Sequence, residues 1–134
     1  MGATGRDAKA AFEKNIQRIA ERLREGQYGA CASTASELTH FSCLLGDKAW
    51  VFASEVLESV FSNMYHMSRH HNLAGEEEKS IRSKLVGAMD GLLDAITAGD
   101  GGRMFAPLAQ MRFDTTTFQM NVWTSQPKIQ EGGD

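Results

Sequence analysis

The sequence predicts an all-α fold, an antiparallel (up-down) four-helix bundle with a short fifth helix and an extended C-terminal arm. Three observations carry that expectation. Four amphipathic helix patterns follow one another, over about 7–25, 29–45, 48–70 and 76–97. Glycine or a polar turn closes each of them. The connections are short, and helices with one apolar face and short links must bury those faces against each other. A chain of 134 residues that is 42% hydrophobic and 23% charged is long enough for one such core.

In the first helix Phe12, Ile16, Ile19 and Leu23 are spaced four, three and four apart, with Ala8 and Ala20 beside the seam. Thr4 followed by Asp7 resembles a capping box with Asp in place of Glu. Gly26 and Gly29 interrupt the pattern. The second helix opens on small residues, Ala30 to Ser36, which permit close approach of a neighbouring backbone. Cys31, Ala35, Leu38, Phe41 and Leu45 form its expected buried face. Gly46 suits the left-handed residue that ends a helix, and Asp47 suits the N-cap of the next.

The third helix is the most apolar. Ala49, Trp50, Ala53, Val56, Leu57, Val60, Phe61, Met64 and Met67 fill an arc about 140° wide at ~100° per residue, and Val51 and Phe52 fall outside it. A helix this greasy is central to its bundle or covered by another chain. The fourth opens on Glu76, Glu77 and Glu78, which suit the positive end of a helix dipole, and carries the stripe Ile81, Leu85, Met89, Leu92 and Ile96. Pro107 is tolerated in a first turn, so a short helix is expected over 106–112. Beyond it Thr116, Phe118, Met120 and Val122 alternate with Thr117, Gln119 and Asn121, a strand period. Residues 1–112 are therefore expected to form the bundle domain, and 113–134 an extended arm with a mobile polar tail.

The bulk chemistry narrows the function classes. The net charge is −3, so the strong positive field of a nucleic-acid binder is absent from the total, and no nucleic-acid partner is expected. The opening residues lack the basic-then-apolar pattern of a signal peptide, no apolar run reaches ~20 residues, and Arg6 breaks the myristoylation pattern. Two cysteines, Cys31 and Cys43, do not make a disulfide framework. A reduced, cytoplasmic protein that neither spans nor binds a membrane is the expectation.

His66 and His70 provide the one chemical hint, since histidines four apart share a helix face and can chelate a divalent metal such as zinc. His40, His71, Glu37 or Glu76 to Glu78 could complete such a site. The His-Glu-x-x-His pattern is missing, and Glu-x-x-His occurs only once, at Glu37 to His40. A solvated cluster at a helix end, where positive charge is favoured, explains the same residues. Neither cysteine has a flanking pattern of a nucleophile, and the glycines around Asp100 lack the Gly-Lys-Ser/Thr ending of a phosphate loop.

The leading expectation is a non-catalytic protein-interaction module, adaptor or regulatory in kind and homodimeric, with no cofactor. Its motivation is surplus apolar surface on the third helix, at Met104, Met111 and Met120 and along the C-terminal segment. Trp50, Phe61, Phe118 and Trp123 are the expected contact residues. The alternatives are a metal-binding bundle built on His66 and His70, and a small-molecule sensor with a pocket between helices lined by Trp50, Phe61 and Met64.

Overall fold

A computed structural model describes residues 5–71, 73 and 75–125. All regular structure among them is helical: α1 (Gly5–Arg24), α2 (Tyr28–Leu45), α3 (Lys48–His70), α4 (Gly75–Ala98), a single 3-10 turn (Gly101–Met104) and α5 (Phe105–Ser125). Thr4, the expected cap of α1, and the tail from 126 onward lie outside the described residues.

The local signals between α2 and α3 act as their chemistry requires. Gly46 sits at φ 75°, a left-handed conformation that glycine adopts without steric cost, and its N–H donates to the Ser42 and Cys43 carbonyls. One residue on, an Asp47 carboxylate oxygen accepts from the Trp50 N–H at 3.0 Å. Before α5 the same device recurs, with Asp100 Oδ1 accepting from the N–H groups of Gly102 (3.1 Å) and Arg103 (3.3 Å).

The helices pack as a closed ring. α1 lies against α2 and α4, α2 against α3, and α5 against both α3 and α4. The expected seam of α1 is fully buried at Phe12, Ile16, Ile19 and Leu23. They meet Cys31, Ala35 and Leu38 of α2, Leu57, Phe61 and Met64 of α3, Leu85, Met89 and Leu92 of α4, and Leu108 and Met111 of α5 in one core. Phe12 stacks on Trp50 with centroids 4.5 Å apart and planes within 10°.

Two expectations are corrected here. The fifth helix is not short: α5 continues unbroken through residues 113–125, where an extended arm was expected, and closes the ring as a full member, while the rest of that expected arm, 126–134, lies outside the described residues. The strand period at 116–122 arises from two helical stripes on opposite sides of α5. Phe118 and Val122, four apart, turn toward the core, while Thr116 and Met120, also four apart, turn to solvent. The end of α2 also departs from expectation: Leu45 is exposed, and Phe41 is only partly buried.

The small-residue face of α2 does admit a close neighbour. A Cβ placed on Gly29 would lie 2.8 Å from Tyr65 Cε1 and 3.0 Å from its Cδ1. The Tyr65 ring is held in turn by Arg69, whose Nη1 donates to the Tyr65 hydroxyl at 2.8 Å. Gly29→Ala should therefore destabilise the fold by about 1 kcal/mol, because the overpacking penalty of ~1–3 kcal/mol exceeds the helix-propensity gain of ~1 kcal/mol. Urea melts of the two proteins would check it, and a more stable variant would refute it.

Candidate interaction surface

α5 is apolar on two sides. Its inner face buries Leu108, Met111, Thr115 and Val122. Its outer face carries Phe105, Ala109, Phe113, Thr116, Met120 and Trp123, which fall within about 80° of arc at ~100° per residue and are all exposed. The exposures of the large ones are 55% for Phe105, 66% for Phe113, 60% for Met120 and 59% for Trp123. Phe52 of α3, itself 43% exposed, tilts against Phe105 with centroids 5.3 Å apart and widens the stripe at its N-terminal end. The stripe runs about 27 Å from Phe105 to Trp123 at ~1.5 Å per residue. Exposed apolar side chains scattered singly are ordinary, but aromatics aligned on one helix face mark a contact site.

Of the four residues expected to make contacts, only Trp123 lies on this stripe. Phe61 is fully buried, so its assignment to a contact surface is corrected: the wide apolar arc of α3 is covered by α2 and α5 of the same chain. Trp50 is half-buried against Phe12 and lines a cleft of about 250 Å³ with Lys9, Asp47 and Asp100. Phe118 points to a different cleft, about 210 Å³, between α4 and α5, with Ile81 and Val122 as its apolar wall and Lys84 and Asp114 at its polar side. The expected pocket shared by Trp50, Phe61 and Met64 does not form, since Phe61 and Met64 are both fully buried in the packed core. Phe105 and Phe113 are not among the residues the sequence points to, while Phe52 stands out there only as lying outside the α3 arc. A test of 105–123 for helical spacing, with steps of three and four, would have aligned the two on α5.

His66 and His70 both lie exposed on α3, their rings stacked with centroids 5.9 Å apart. Among the described residues no group of three or more His, Cys, Asp or Glu side chains comes together as a metal site would require. The pair therefore offers two imidazole donors on an open surface, without the third and fourth ligands of a structural zinc site.

A polar cluster joins the ends of three helices. The Tyr28 hydroxyl donates to one Glu78 carboxylate oxygen, and Arg82 Nη2 donates to the other at 2.8 Å. Arg82 Nη1 donates to the Arg24 carbonyl at 2.9 Å, which ties α4 to the end of α1. Burial first, and then the hydrogen bond to Glu78, raise the Tyr28 pKa far above its ordinary value. The phenol thus stays protonated and serves as a donor, not a base. These groups satisfy one another, which is the chemistry of a staple.

The two thiols are free and differ sharply. Cys31 is buried with Sγ 3.5 Å from the Ile19 carbonyl, and burial pushes its thiol up to about 12, while Cys43 is exposed. A thiol reagent at pH 8 should label Cys43 within minutes and Cys31 only on unfolding, since the thiolate is the reactive form. Two equally fast thiols in native protein would contradict the packing of α2. Among the described residues no helix is long and apolar enough to cross a membrane. Compared with protein-family models, with curated proteins and with solved structures, the chain matches none.

Proposed function

We propose that this chain is a non-catalytic protein-contact module, adaptor or regulatory in role, that works as a homodimer. The observation that supports it most is the exposed stripe of α5 from Phe105 to Trp123, apolar surface that the chain's own core does not use. The titratable groups point the same way. Tyr28 and Arg82, whose pKa values are raised, are held with Glu78 in a part-buried polar cluster whose members bond one another, and the buried thiol of Cys31 is held in its unreactive form. An up-down course for successive helices belongs to the same proposal, because turns as tight as Gly46–Asp47 leave no length for a parallel crossover. A cytoplasmic setting fits the two free cysteines.

Sedimentation equilibrium of untagged protein from 1 to 100 µM tests the reading. The expected result is a mass that rises toward twice 14.7 kDa. A strict monomer across that range would remove the homodimer from the proposal.

A further inference from the structure

We infer that the occupant of the α5 stripe is a second copy of this chain, docked antiparallel about a two-fold axis near residue 114, with each Trp123 seated on the Phe52–Phe105 pair of the other copy. This rests on the homodimer reading and adds the surface, the orientation and the register. The area fits. At ~150–250 Å² per aromatic side chain, the exposed parts of Phe52, Phe105, Phe113 and Trp123, with Met120, expose on the order of 500 Å² of apolar surface. A standard interface buries ~800 Å² per partner, about two-thirds of it apolar in homodimers.

The order of side chains along the stripe selects the orientation. Reversed about position 114, the stripe matches itself to within one residue: Phe105 falls opposite Trp123, Ala109 beside Met120, and Arg112 and Phe113 beside Thr116. A small side chain then faces a long one, and aromatic residues close both ends. Helix dipoles oppose as well. In a parallel pairing Ala109 would face Ala109 and leave a gap. The isologous arrangement uses each contact twice, as a two-fold dimer must.

Cysteine pairing tests orientation and register together. In a Cys43→Ser background, Ala109→Cys and Met120→Cys chains are mixed in equal amounts and mildly oxidised. Both positions are exposed, so each single variant keeps the fold. The expected product is the mixed 109–120 disulfide, at least tenfold over either homodisulfide, because 109 and its own copy lie ~16 Å apart along antiparallel axes at ~1.5 Å per residue. Predominant 109–109 disulfide would overturn the antiparallel register while leaving the homodimer standing. A dimer by sedimentation that forms neither product places the interface elsewhere and also overturns the inference. A monomer at 100 µM would sink both the inference and the reading beneath it.

Discussion

Phe113→Glu should convert the proposed dimer to a monomer without unfolding it. Phe113 is two-thirds exposed in the single chain, so its replacement removes little intramolecular packing, and glutamate is at least as good a helix former. In the proposed dimer it lies beside the two-fold axis. Two copies of the substitution then act at once, each losing an aromatic anchor and placing a carboxylate in a desolvated contact. Central aromatic anchors cost ~2 kcal/mol or more each when removed, so the dissociation constant should rise by at least about a hundredfold. Sedimentation at 20 µM against circular dichroism melting separates the effects. A dimer of unchanged affinity would show that association uses another face.

Phe12→Ala should be the most damaging core change. Phe12 is fully buried and stacked on Trp50, so truncation leaves a cavity where α1 meets α3. Such changes cost ~3–5 kcal/mol, a large part of the ~5–15 kcal/mol that holds a domain of this kind together. The melting temperature should fall by roughly 10–20 °C. Trp50 emission should shift to the red as its stacked partner is lost, read in a Trp123→Phe background so that one indole reports. Leu44→Ala, at a position 75% exposed on α2, is the matched control and should change stability by less than ~0.5 kcal/mol. A Phe12→Ala protein that melts with the control would refute the placement of α1 in the ring.

The legible parts of the fold were those where one physical signal acted alone. The seam of α1 has a single apolar stripe, and Phe12, Ile16, Ile19 and Leu23 are buried as their spacing requires. Gly46 and Asp47 end one helix and begin the next because the backbone there needs a left-handed residue and then a carboxylate acceptor. α5 was illegible for the opposite reason. Its inner stripe, with Phe118 and Val122, and its outer stripe, with Met120 and Trp123, lie on nearly opposite sides, so their helical periods cancel and an alternation remains. Missing α5 also misplaced the surface. Without a fifth helix to cover it, the broad arc of α3 reads as unpartnered, and Phe61 reads as a contact residue. Trp123, an expected contact residue, is 59% exposed on the outer face of α5.

The ring is closed by the element made after all the others. At ~5–20 residues per second, the stretch from Gly99 to Ser125 takes about one to five seconds to synthesise. During that interval α3 and α4 have no α5 to cover them, and Ile81 lacks the wall later supplied by Phe118 and Val122. A chain of the first four helices therefore leaves the inner half of the core uncovered. When α5 arrives, it covers that half and sets out a second apolar stripe. The maturing chain thus exchanges one apolar surface, the inner half of the core, for another, the exposed stripe from Phe105 to Trp123.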